Sequence, residues 1–192
     1  MNQDFLKTII KEELEGIILG PKALYVFDFD DTLVSDQATV YVVHEENQTR
    51  TPLTVTEFHH YLLKEGEAMD FGEFEEVTNP AIHTSIMDLL VSHLPNVVIL
   101  TARSEPQPIK DYLDDLGIDV PVIAVGKNTD DAEAIKRNAM RKRDWIGNAI
   151  RTRGLEYVEF WDDNEENINQ VWSLQKVYPD VKIVCHLVRH RQ

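Results

Sequence analysis

The sequence predicts an α/β protein, a Rossmann-like three-layer sandwich built around a mainly parallel central sheet. Two observations carry that expectation. Short, nearly continuous apolar runs recur along the 192-residue chain, and several end in acid or hydroxyl residues, as buried parallel strands do. Helical patterns lie between these runs. Strands alternating with helices imply a parallel sheet covered on both faces through right-handed crossovers.

The elements follow in order. Leu6, Ile10, Leu14 and Ile17 recur at helical spacing before Gly20-Pro21, so residues 1–20 read as an amphipathic helix. The core then occupies 21–192. Its first strand is 23–28 (ALYVFD), and later strands are expected at 96–101 (NVVILT), 120–125, 157–162 (YVEFWD) and 181–188. Helices are expected over 81–93, over 106–116 between opening prolines and Gly117, roughly over 130–153, and over 165–177. One stretch breaks the alternation. Residues 38–44 (ATVYVVH) alternate, a polar turn follows, and a second strand is expected near 50–55, then a short helix at 56–64 and acidic sequence without pattern. This is a small β-hairpin and helix insertion at about 35–80, placed after the first core strand where a lid would sit.

Composition bounds the partners. At 43% hydrophobic and 28% charged, the chain is an ordinary globular protein. No apolar run approaches a membrane span, and the first twenty residues mix Lys and Glu through their apolar positions, unlike a signal peptide. A single cysteine, Cys185, leaves no internal disulfide and no cysteine-based zinc cage, so a reducing, cytoplasmic setting is expected. The net charge of −15 works against anionic lipid and non-specific nucleic acid. Neither a membrane partner nor a stable nucleic-acid complex is expected.

The strongest chemical signal is VFDFDDTLV at 26–34. Asp28 falls where a buried strand ends, with Asp30 and Thr32 at alternate positions after it. Ligands of open parallel sheets bind outside the carboxyl ends of the strands. Three acids in four residues repel one another, by roughly 4 kcal/mol for a pair at about 4 Å in an intermediate dielectric, and a divalent cation relieves this. Carboxylates without His or Cys nearby favour Mg²⁺ over zinc. Thr101 and Arg103 end the next core strand, where a hydroxyl would hold a phosphoryl oxygen and a guanidinium would bind a substrate anion. Asp162 and Asp163 form a second acidic pair at a strand end, followed by Asn164 and Asn167; one acid can ligate a cation while the other orients a lysine or a water. For that lysine, Lys142 competes with Lys127 and Lys136.

The order DxDxT, strand-end Thr, Lys, then DD resembles the haloacid dehalogenase superfamily of phosphohydrolases, in its small-cap members. The layout is also similar to the phosphatase domain of phage polynucleotide kinases. The resemblance covers residues 23 to about 188 and implies a Mg²⁺-dependent phosphomonoesterase working through an aspartyl-phosphate. It makes Asp28 the nucleophile and Asp30 the general acid and base. Mg²⁺ would be held by Asp28, the Asp30 carbonyl and Asp162. Thr101 and Lys142 would hold the phosphoryl oxygens, Thr32 would fix the loop, and Asp163 would anchor Lys142 or a metal-bound water. Asn167 stands where some relatives carry a further acid. Asp30 also favours phosphatase over dehalogenase, since a halide leaves without a proton.

Substrate is expected to be a phosphorylated small molecule, a nucleotide, or a nucleic-acid 3′-phosphate end. The segment 136–153 holds Lys136, Arg137, Arg141, Lys142, Arg143, Arg151 and Arg153 against one acid, Asp144. Rival readings are a phospho-acceptor signalling module and a catalytically degenerate binding protein on the same fold. Trp145, Trp161 and Trp172 read as core or cleft-edge residues. His59-His60, and Cys185-His186 with His190, lack acidic neighbours at metal-ligand spacing.

Overall fold

The computed structural model describes residues 22–35, 38–54, 57, 61–78, 80–127 and 137–189. The expected helix at 1–20, His59-His60, His190, Lys136 and the start of the helix expected from 130 lie outside these residues. In chain order the strands are β1 (Ala23–Phe27), β2 (Val34–Ser35), β3 (Val40–His44), β4 (Thr49–Leu53), β5 (Glu67–Asp70), β6 (Ala81–Ile82), β7 (Val97–Thr101), β8 (Val122–Ala124), β9 (Tyr157–Asp162) and β10 (Lys182–Leu187). The α-helices are α1 (Thr84–Ser92), α2 (Gln107–Asp115), α3 (Asn138–Arg153) and α4 (Glu165–Trp172).

Five strands form one parallel sheet in the order β10-β9-β1-β7-β8. The chain steps outward from β1 to β7 and β8, then returns to β9 and steps outward to β10. Its direction of travel therefore reverses between β1 and β9, and doubly wound sheets bind ligands at that reversal. All five residues of β7 are buried, which is why its sequence is apolar without alternation.

Each face of the sheet has its own apolar cluster. On one side Leu24, Val26, Val158, Phe160 and Ile183 meet Ile146, Ala149 and Ile150 of α3 and Val171 of α4. On the other Phe27, Ile99 and Val122 meet Met87 and Leu90 of α1 and Ile109 and Leu113 of α2. Burying each such side chain gains about 1.5–3 kcal/mol, so the two stripes decide which helix covers which face. Gly154 ends α3 in the left-handed region at φ 61°, and the Leu155 amide returns to the Ile150 carbonyl.

The insertion differs from expectation in three places. Residues 81–82 are not helical; they form β6, which runs antiparallel to β2 through the pairs Val34↔Ile82 and Ser35↔Ala81. The two stalks of an insertion must return side by side, and this pairing satisfies their backbones. Of the helix expected at 56–64, Glu57 is helical but residues 61–64 are not. The Glu67 carboxylate draws the Lys64 amide (2.9 Å) and the Tyr61 hydroxyl (3.1 Å) into a turn. The acidic sequence beyond is β5, the third strand of an antiparallel sheet ordered β4-β3-β5, and then a 3-10 turn at Gly72–Glu75.

Of the tryptophans, Trp161 is buried and stacks on Phe27 at 4.3 Å, Trp145 is half-buried, and Trp172 is exposed, contrary to a core role. Among the described residues, no helix is long and apolar enough to cross a membrane.

Candidate active site

Register brings the acids together. β1 and β9 pair through Phe27↔Trp161, and the Asp28 amide donates to the Trp161 carbonyl at 2.9 Å. Asp28 and Asp162 are therefore opposite one another at the ends of neighbouring strands, at the point where the sheet reverses. Both continue the even-numbered series (Leu24, Val26; Val158, Phe160) that faces α3.

Lys142 comes from α3. Its buried stripe is Ala139, Lys142, Ile146, Ala149 and Ile150, so the lysine occupies a position that periodicity reserves for an apolar residue. Its ammonium, fully buried, lies 2.8 Å from Asp28 Oδ1 and 2.7 Å from Asp162 Oδ2. Burial alone would pull this ammonium's pKa down, but the carboxylates of Asp162 and Asp28 more than offset it and hold it above the ordinary lysine value. Lys127 is exposed, and among the described residues Lys142 is the lysine that meets the acids.

Of the two roles expected of Asp163, anchoring Lys142 or a metal-bound water, the first falls to other residues. Asp162 and Asp28 hold the lysine, while Asp163 makes no ion pair with it among the described residues. The pleat explains this, because Asp162 is the last residue of β9 on the face that α3 covers and Asp163 is the next residue along. Asp162 is also saturated. Its Oδ1 accepts from the Asn164 amide (2.9 Å) and Asn167 Nδ2 (2.8 Å); its Oδ2 accepts from Lys142 and, at 3.0 Å, from Asn167 Nδ2 again. Asn164 caps α4, accepting from the Glu166 and Asn167 amides. Capping and clamping together explain the two asparagines.

Ligand atoms of Asp28, Asp162 and Asp163 all lie within 4.8 Å of one another. Burial pushes the Asp28 carboxyl well above the usual range, only partly countered by Lys142, with Asp162, Asp163 and Asp30 adding to the rise. Burial, Asp162 and Asp31 push Asp163 up to about 7, against Lys142. A dry site with more acids than cations suits a hard divalent ion, and an all-oxygen donor set fits one.

Three expected residues take other positions around this centre. Thr101 is fully buried; its Oγ1 accepts from the Arg103 amide at 3.1 Å, which leaves its hydrogen to donate. Thr32 is buried, and its hydroxyl has no hydrogen-bond partner among the described residues. The loop around it is held instead by backbone bonds: the Thr32, Leu33 and Val34 amides donate to the Phe29 carbonyl, and Asp31 adopts φ 54°. Arg103 is not open to a substrate anion, since its buried guanidinium meets Asp30 and two carbonyls of the insertion. Away from the site, His186 does have an acidic neighbour, Glu159 at 2.7 Å, and stacks on Trp161.

Fold and site together define a mixed α/β protein with a carboxylate and lysine centre at the switch point of its sheet. Compared with models of protein families, with curated proteins and with solved structures, the chain matches none.

Proposed function

We propose that the protein is a Mg²⁺-dependent phosphomonoester hydrolase that works through an aspartyl-phosphate on Asp28. The observation that carries this reading is Lys142 bridging Asp28 and Asp162 at the switch point. A buried ammonium beside a carboxylate nucleophile supplies fixed positive charge where phosphoryl oxygens gather negative charge. The superfamily resemblance of DFDDTLV supports the same assignment.

In this reading an Asp28 oxygen attacks phosphorus, the bond to the leaving oxygen breaks, and Asp30 gives that oxygen its proton. Water then attacks phosphorus while Asp30 takes a proton from it. Phosphate departs and the Asp28 carboxylate is restored. Thr101 and Lys142 orient the phosphoryl oxygens. Asp28 and Asp163 would hold the cation, with the Asp30 carbonyl that the resemblance adds; Asp162 belongs to the same cluster but has its oxygens occupied by Lys142, Asn164 and Asn167. When bound, the cation neutralises charge on the phosphoryl group and on the acids.

The test is hydrolysis of 4-nitrophenyl phosphate by wild type and Asp28→Asn, with Mg²⁺ or a chelator. Turnover is expected only for wild type with Mg²⁺, with the variant melting as a folded protein. Activity in Asp28→Asn would remove the nucleophile assignment. An acyl-phosphate persisting for hours would favour a signalling module. A panel of sugar phosphates, nucleotides and 3′- and 5′-phosphorylated oligonucleotides then places the substrate. The turn of the helix that delivers Lys142 also carries Arg141 and Arg143, so a salt-sensitive preference for a nucleic-acid 3′ end is the outcome we propose. A silent wild type across the panel ends the phosphatase reading.

A further inference from the structure

We infer that Arg103 is a positioning residue that fixes the Asp30 carboxylate and ties it to the insertion, so that proton transfer to the leaving group depends on the insertion being seated. The inference rests on the phosphohydrolase reading above.

Arg103 spans three parts of the molecule with one planar group. Its Nη2 lies 2.7 Å from Asp30 Oδ1, and its Nε lies 3.1 Å from Oδ2 and 3.3 Å from Oδ1. Its Nη1 donates to the carbonyls of Phe74 (3.0 Å) and Glu76 (3.1 Å). The guanidinium carbon sits 5.2 Å from the centre of the Phe74 ring and 5.6 Å from that of Phe29. The loop after β7, the loop after β1 and the 3-10 turn of the insertion thus converge on it. At the other end, the stalks β2 and β6 are pinned by the Ser35 hydroxyl and His83 Nε2 at 2.8 Å. The insertion is hinged at one place and clasped at another.

Exposure separates the roles of the two partners. The Arg103 side chain is 3% exposed and that of Asp30 is 25% exposed, so the clasp is dry while the carboxylate keeps an open side. Oδ1 takes the shortest contact, and among the described residues Oδ2 takes a single, longer one from Nε. Oδ2 is therefore the oxygen with capacity left for a proton. An acid on a loop must be held near one geometry to deliver that proton, and misplacement by about 1 Å costs roughly 100-fold in rate. A lysine here keeps charge but cannot reach Asp30 and two carbonyls at once.

The leaving group separates positioning from mere folding. Phenyl phosphate needs a proton for its departing oxygen; 4-nitrophenyl phosphate, of nearly the same shape, hardly does. Arg103→Lys and Arg103→Ala are expected to lose roughly 100-fold in kcat/KM on phenyl phosphate and under about 10-fold on 4-nitrophenyl phosphate, because kcat/KM reports the first transfer, the step in which the two esters differ. Asp30→Asn should show the same split. Equal losses on both esters would overturn the positioning role even with the phosphatase reading intact. A wild type silent on both esters overturns that reading and the proton-transfer role with it. Independently of activity, amide exchange over residues 72–76 should quicken in Arg103→Lys, which tests the clasp itself. Unchanged protection there overturns the tie to the insertion, and Lys serves where Ala fails to fold.

Discussion

The Lys142 ammonium lies 2.8 Å from Asp28 and 2.7 Å from Asp162 with no surface exposed to solvent. A charge in that position is tolerated only because its partners are present. It links the nucleophile we propose, just after β1, to the acid that ends β9 through a helix that packs on both strands.

Removing the cation should therefore cost more than activity. Lys142→Met keeps a comparable apolar stem but leaves Asp28 and Asp162 buried without their counter-charge. Breaking such a pair costs about 3–5 kcal/mol, so denaturant unfolding in chelator should show a loss of that order. Added Mg²⁺ should restore part of it by replacing the missing charge. A variant as stable as wild type in chelator would contradict the ion-pair account.

Asn167 donates to both oxygens of Asp162, at 2.8 and 3.0 Å. Asn167→Asp replaces that donor with another acid. Hydrogen bonds to charged groups are worth about 1.5–3 kcal/mol, and repulsion adds to their loss. The expected result is a variant roughly 2–3 kcal/mol less stable in chelator, with a smaller gap once a divalent ion is supplied. No change in chelator would mean the clamp contributes nothing.

Gly126 tests the support behind the second strand end. A Cβ built there would lie 2.0 Å from the Ala102 carbonyl oxygen and 2.6 Å from that of Arg103, both backbone atoms. Its amide also donates to the Arg103 carbonyl at 3.0 Å. Gly126→Ala must push the 101–103 segment aside, which costs about 1–3 kcal/mol as overpacking does, and should lower turnover in the proposed reaction through displaced Thr101 and Arg103. Calorimetry and 4-nitrophenyl phosphate kinetics on one preparation check both effects.

Much of this was legible in the sequence. The apolar runs ending in Asp28, Thr101 and Asp162 gave the strand ends correctly, because burial on both faces leaves few polar choices. Lys142 was less legible, yet a signal existed: it stands at i−4 to Ile146 and i+3 to Ala139 on the apolar stripe of α3. A lysine on such a stripe must meet a buried acid, whereas Lys127 has no such stripe. β5 was illegible because Met69 is its only buried residue and the acids Glu67 and Asp70 at its two ends leave no apolar alternation to read. The role of Arg103 was hidden too, since sequence spacing does not show that the insertion folds back to present the Phe74 and Glu76 carbonyls.

Cys185 offers a pH test away from the proposed chemistry. Burial, with a smaller effect from Asp162, pushes its thiol up to about 12. A thiol of the unfolded chain ionises near its ordinary pKa, about 8.5. The folded pKa is thus the higher one, so this group's contribution to stability is complete below about 8.5 and is lost as pH rises through that value toward 12. Two outcomes follow. Alkylation by iodoacetamide at about pH 9 should be at least about 10-fold slower in the folded protein than in denaturant, because the thiolate is the nucleophile. Replacing Cys185 with Ala should flatten the fall in unfolding free energy above that pH. Equal labelling of folded and unfolded chains would show that β10 does not shield the sulfur.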